Sequence, residues 1–130
     1  RHHHLVRRGD IGELGIHFRA DIFKLDREHR FPRFRVRLEH DIDALNAGLA
    51  PLNSFVLPGG TAAAAYLHLA RTICRRAERV VVELACQPNE PVSDAAVQYL
   101  NRLSDFLFVA SRAVNDNGAR DVLWVPGQNR

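Results

Sequence analysis

A chain of 130 residues, 46% hydrophobic and 25% charged, has the composition of one folded domain with a modest core, which excludes a disordered chain. Its net charge is only +3 although its pI is 9.4, so discrete anions suit it better as partners than long nucleic acids. No apolar run approaches the roughly 18 residues that span a bilayer, and the N-terminal stretch lacks the apolar core of a signal peptide, which predicts a cytoplasmic protein with no membrane partner.

In chain order, His2, His3 and His4 come first and read as a tag remnant or frayed end rather than a metal tract. RRGDIGELGI (7–16) then places Gly9, Gly12 and Gly15 at every third position. Glycines let backbone N–H groups approach a phosphate closely, yet this is neither a Walker A loop nor a dinucleotide fingerprint. Taken alone, the spacing fits a non-binding terminus better than a phosphate loop. Residues 1–32 are the least regular part of the chain and receive no element.

Over 33–47, Leu38, Ile42 and Leu45, with Leu49 just beyond, form the stripe of an amphipathic helix that Gly48 and Pro51 end. SFVLPGGT (54–61) joins an extended apolar run to Pro58, Gly59 and Gly60, so it predicts a tight turn, with Thr61 as the N-cap of the next helix. That long helix is expected from Ala62 to about Leu84, roughly six turns, with an apolar seam of Tyr66, Ala70, Ile73, Ala77, Val80 or Val81, and Leu84.

Gln87 to Pro91 is a proline-bounded loop, after which Ser93 and Asp94 open a third helix. Its apolar positions are Ala96, Leu100, Leu103, Leu107, Ala110 and Val114. NDNG (115–118) closes it and DVLWVPG (121–127) is a short extended tail. Cys74 and Cys86 form no CxxC pair, and no zinc-like spacing surrounds them, so both are expected reduced, with Cys74 buried in its helix. Three narrow-striped helices make a thin all-α domain, 1–130 as one unit, and predict a helical bundle completed by partner subunits.

RTICRRAERVV (71–81) carries four arginines and no lysine. At about 100° per residue, Arg71, Arg75, Glu78 and Arg79, with His68 one turn earlier, are expected on one face opposite Tyr66, Ala70, Ile73, Ala77 and Leu84, with Arg76 between. Asn101, Asp105, Phe108 and Arg112 repeat the pattern on the third helix. Solvated faces with intrahelical ion pairs worth about 0.2–0.5 kcal/mol each are the ordinary explanation. Against it, arginine's planar fork suits phosphate oxygens and stays charged when desolvated, and a solvated face would usually mix in lysine. Glu78 and Asp105 interrupt the positive stripe, which disfavours a nucleic-acid-binding module. Phe55, judged singly, reads as a core residue.

FVLPGGT, RTICRRAERVV and YLNRLSDFLFVASR (99–112), in this order and spacing, resemble the PduO-type ATP:cob(I)alamin adenosyltransferases, whose signatures read F[IV]LPGG, R-x-x-x-RRAER and LNRLSD-x-LF. The likeness covers about residues 36–126, and RRGDIGELGI resembles that family's ATP loop, with Lys24 where the family often has a lysine. The resemblance implies a five-helix-bundle fold, a homotrimer with active sites between subunits, and transfer of the 5′-deoxyadenosyl group of ATP to reduced cobalamin with Mg²⁺ assisting.

It also implies roles. Arg75 and Asn101 would contact ATP, Glu78 would lie on the nucleotide and metal side, and Gly9, Asp10, Gly12, Gly15 and Lys24 would belong to the ATP loop. Arg71 would brace the subunit interface near cobalamin, and Phe55 would occupy the face vacated by the lower axial ligand. A cobalamin reductase and a B12-dependent enzyme are the implied partners. Two departures from the family pattern stand out, and the first, in the ATP loop, favours an alternative, a non-catalytic cobalamin or nucleotide carrier of the same fold. Val6, Arg8 and Leu14 stand where the family's loop has threonines, and the path from Lys24 to Arg33 has no room for the two helices the family places there. One of those helices carries the aspartate that pairs with the equivalent of Arg71, for which Asp26 is the candidate substitute.

Overall fold

A computed structural model describes residues 30–128. In chain order it contains α1 (Arg30–Asn46), β1 (Val56–Leu57), α2 (Ala62–Ala85), α3 (Asp94–Ala113) and β2 (Val122–Leu123). The helical class expected from the sequence holds, and the two short strands pair antiparallel, Val56 opposite Leu123 and Leu57 opposite Val122.

The helix starts follow their capping residues. Thr61 has extended backbone and its hydroxyl accepts from Ala64 N at 3.1 Å, while Ser93 does the same for Ala96 N at 3.3 Å. Each cap satisfies an N–H that the first turn would leave without a partner. α1 ends just before Gly48 and Pro51, as their backbone preferences require.

α3 is the central element and packs against both α1 and α2. On the α1 side, Tyr99 meets the rings of Phe31 and Phe34, with centroids 5.5 and 6.2 Å away. The buried residues are mostly small or polar: Ala64, His68, Cys74 and Val81 on α2, and Ala96, Ser104, Ser111 and Arg112 on α3. Cys74 is buried as expected, and its thiol donates to Leu100 O at 3.3 Å.

This overturns part of the expected facing of α2. Tyr66 and Ile73, placed in the seam by periodicity, are 74% and 61% exposed, and Leu69 lies exposed between them. His68 and Arg71, placed on the outer face, lie on the α3 side. Arg112 on α3 is buried and Val114, its C-cap, is exposed, the reverse of the expectation. α2 carries apolar residues on two faces, so periodicity alone cannot choose between them. The face chosen is the one whose alanines, serines and cysteine let two backbones approach closely, since helix separation depends on the side chains at the contact.

Candidate functional site

The PGG turn is the first component. Gly60 has φ +93°, and a Cβ there would lie 2.4 Å from the Asn115 amide oxygen, so only glycine fits. The residues before the turn form the two-stranded ribbon with the tail. At its tip Phe55 is 77% exposed, its carbonyl accepts from Trp124 N at 2.8 Å, and its ring meets Trp124 edge-on with centroids 6.2 Å apart. The Ser54 hydroxyl donates to Trp124 O at 2.6 Å. The expectation that Phe55 is a core side chain fails: the turn presents it outward. Trp124 was not singled out from the sequence, because only the ribbon pairing brings residue 124 beside residue 55.

At the other end of the ribbon, Asn115 is fully buried. Its amide oxygen accepts from Thr61 N at 2.8 Å and from the Thr61 hydroxyl at 3.1 Å. Its amide nitrogen donates to Gly59 O at 3.0 Å and to Asp121 Oδ1 at 3.1 Å. Asp121 Oδ2 accepts from Arg112 Nε at 2.8 Å, and Arg112 Nη2 reaches Ala50 O at 2.9 Å. The ion pair is nearly solvent-free, with side-chain exposures of 7% and 2%.

The second component lies along α2 and α3. Asn101 Nδ2 donates to Glu78 Oε1 at 2.9 Å, joining two predicted site residues across the helix pair. A cleft of about 410 Å³ among α1, α2 and α3 is lined by both, together with Arg35, Glu39 and Arg102. A second, of about 390 Å³, is lined by Arg75, Glu78, Arg79 and Glu83. Glu78 therefore belongs to both clefts and links Arg75 to Asn101.

The contribution of α1 was missed at the sequence level. Arg35 bonds Gln98 and approaches Glu39 at 3.7 Å, while Arg102 lies 3.4 Å from Glu39 and 3.2 Å from Asp105. The available signal was the i,i+4 spacing of Arg35 and Glu39, which many helices share.

Arg71 occupies a third environment. Its guanidinium carbon sits 4.8 Å from the centroid of Phe108, and the buried His68 ring meets the same phenylalanine at 6.5 Å. Burial lowers the His68 pKa from its usual value, the Arg71 charge lowers it further, and Asp121 opposes both. His68 is therefore held towards its neutral form. His68 Nε2, Arg71 Nε and Ser104 Oγ are buried with no hydrogen-bond partner among the described residues. Burial, then Glu78, raises the Cys74 pKa against the pull of Arg75, which makes this thiol a poor nucleophile.

The structure thus gathers Arg75, Glu78 and Asn101, and sets Arg71 and Phe55 apart from them. Gly9, Asp10, Gly12, Gly15, Lys24, Asp26 and the histidine tract lie outside the described residues. Arg76 is exposed, and Arg79 lines the second cleft. No group of three His, Cys, Asp or Glu side chains could cage a metal among the described residues. What the arrangement offers is fixed arginine charge beside a carboxylate and an amide, which suits a polyanion.

The sequence model of the cobalamin adenosyltransferase family matches residues 12–114. The corrinoid adenosyltransferase of Mycobacterium tuberculosis is 54% identical over 94 residues, covering 72% of this chain and 48% of that protein. The cobalamin adenosyltransferase of Cupriavidus metallidurans is 42% identical over 123 residues, 88% of this chain and 66% of that protein. The chain therefore spans about half to two thirds of the length of these relatives. Among solved structures, an arginine-to-lysine variant of the PduO-type ATP:corrinoid adenosyltransferase of Lactobacillus reuteri, complexed with ATP, superposes with a TM-score of 0.65 at 38% identity, covering 72% of this chain and 53% of that one. A phenylalanine-to-histidine variant of the enzyme, complexed with cobalamin and ATP, gives 0.64 at 39%, covering 71% and 49%.

Proposed function

This chain belongs to the cobalamin adenosyltransferase family, and on that premise we propose that it transfers the 5′-deoxyadenosyl group of ATP to cob(I)alamin, releasing triphosphate. The observation that carries the reading is the grouping of Arg75, Glu78 and Asn101 at one place on α2 and α3. The Lactobacillus reuteri structures support it, since they hold ATP or ATP with cobalamin. In those variants the substituted phenylalanine and arginine are twenty positions apart, and Phe55 and Arg75 have the same separation.

The chemistry asks little of the protein in nucleophilic power. Cobalt(I) supplies the electron pair, the cobalt–C5′ bond forms, and the C5′–oxygen bond breaks with its pair going to triphosphate. The protein's work is alignment and stabilisation of the departing polyanion. Arg75 is assigned to that anion, and Asn101 with Glu78 to the nucleotide. Mg²⁺ keeps several waters and takes phosphate oxygens with one or two carboxylates, so Glu78 as a single ligand fits it without a protein cage. The outward-facing Phe55 supplies an apolar surface that excludes water and a lower ligand from cobalt, which eases reduction to the reactive state.

A homotrimer is supported by two features. Tyr66, Leu69 and Ile73 leave an exposed apolar stripe on α2, and Arg71 has a buried N–H without a partner among the described residues, as a carboxylate from a neighbouring subunit would require. The reduced substrate would come from a cobalamin reductase, and the product would pass to a B12-dependent enzyme in the cytoplasm. No described helix is long and apolar enough to cross a membrane.

The test is anaerobic incubation with ATP and chemically reduced cob(I)alamin, following the cobalt–carbon bond by visible absorption. Growth of the alkylcobalamin spectrum supports the transferase. Bound corrinoid without turnover would replace it with a non-catalytic carrier.

A further inference from the structure

Phe55 sits at the tip of a ribbon whose strands are two residues long. A lone two-stranded ribbon is marginal in water, so its tip is only as well placed as its root. Here the root is one side chain. Asn115 donates to Gly59 O, just after β1, and to Asp121, just before β2, while accepting from Thr61 at the start of α2. Arg112 continues the clamp, holding Asp121 with Nε and the Ala50 carbonyl with Nη2. The segment 50–61 is thus pinned at both ends by the C-terminal end of α3, with Phe55 exposed in the middle.

We propose that Asn115, acting with Arg112 and Asp121, is the positioning residue for Phe55, and that α3 fixes where Phe55 stands relative to the nucleotide-side residues. α3 carries Asn101 and Arg112 on one rigid rod, separated by about 16 Å at 1.5 Å per residue, and Asn115 follows directly after its C-cap Val114. The assignment rests on the reading of Phe55 as the apolar wedge beneath cobalt. An ordinary buried network would stabilise the fold with no preference for one substrate, whereas a positioning clamp acts on the step that uses Phe55.

The discriminating variant is Asn115→Asp. It keeps the volume but turns an amide donor into an oxygen facing the Gly59 carbonyl and the Asp121 carboxylate. Asp121→Asn, which weakens the hold of Arg112 on the tail, carries the same readouts if the first variant fails to fold. Trp124 is the chain's only tryptophan and packs on Phe55, so its fluorescence reports the tip directly.

Well below the unfolding temperature, acrylamide quenching of Trp124 should rise about two- to threefold in the folded variant, as expected when a packed ring is released. The four-coordinate fraction of bound cob(II)alamin, read by electron paramagnetic resonance, should fall about tenfold while transfer from chemically reduced cob(I)alamin changes less than about threefold. Equal losses with both corrinoid states, or unchanged Trp124 quenching in a folded variant, would overturn the proposal. If the unaltered protein binds cob(II)alamin without forming a four-coordinate state, the reading of Phe55 fails, and the quenching contrast still decides whether Asn115 positions the ribbon.

Discussion

Two regions of the α2–α3 interface bury polar groups in opposite ways. At one end Arg112, Asn115, Asp121 and Thr61 satisfy one another through hydrogen bonds of 2.8 to 3.1 Å. In the middle, His68 Nε2, Arg71 Nε and Ser104 Oγ are equally enclosed and make none among the described residues. Burial without a partner costs about 1–3 kcal/mol per group, so the first region is architecture completed within the chain. The second leaves three buried polar atoms without a partner among the described residues, and it holds Arg71, the arginine expected to brace a subunit interface.

The contrast can be broken most severely at the paired end. Arg112→Ala leaves the Asp121 carboxylate buried without its cation, and unfolding in denaturant should show a loss of about 3–5 kcal/mol. A loss below about 1 kcal/mol would mean that the network is not closed in solution. Arg75 is exposed, so Arg75→Ala should leave the melting temperature unchanged while lowering kcat/KM for ATP about 100-fold, the scale of one lost charge-stabilising donor. An equal fall in stability would return Arg75 to a structural role.

Phe55→Ala should slow reaction from cob(II)alamin about tenfold and reaction from cob(I)alamin much less, with little change in stability, because the side chain is largely in solvent. Equal small effects on both would remove it from the site.

His68 sharpens the comparison by pH. Its folded pKa lies below the usual 6.5, so below that value the unfolded chain binds the extra proton and stability falls. Above it the contribution is fully present. Replacement by glutamine should flatten this part of the stability profile between about pH 7 and 5, and an unchanged slope would assign the loss to other groups.

The smallest effect is expected from Ser104→Ala. Removing a buried hydroxyl that bonds nothing among the described residues should be neutral or stabilising by up to about 1 kcal/mol. A clear destabilisation of the purified protein would show that Ser104 already has a partner there.

Much of the local structure was legible in residue order. Thr61 and Ser93 capped their helices because a hydroxyl before an apolar run has one obvious use, and Gly48, Pro51, Gly59 and Gly60 ended elements because their backbone torsions allow little else. The clustering of Arg75, Glu78 and Asn101 was also foreseeable, since α2 and α3 carry the motifs that match the family and Glu78 is one turn from Arg75. Periodicity did not select the buried face of α2. Tyr66 and Ile73 are the larger apolar residues, yet a close helix contact favoured Ala64, Cys74 and the serines of α3.

The sequence by itself therefore determined the helices, their caps, the PGG turn and the identity of the arginine-rich motif, because each depends on neighbours within a few positions. Tertiary structure alone decided that Phe55 faces outward beside Trp124, that Arg112 is buried against Asp121, and that Arg71 stacks on Phe108. Those outcomes depend on residues 9 to 69 positions apart. Whether a charge is buried depends on what the fold brings to meet it, and that is fixed only when the helices pack.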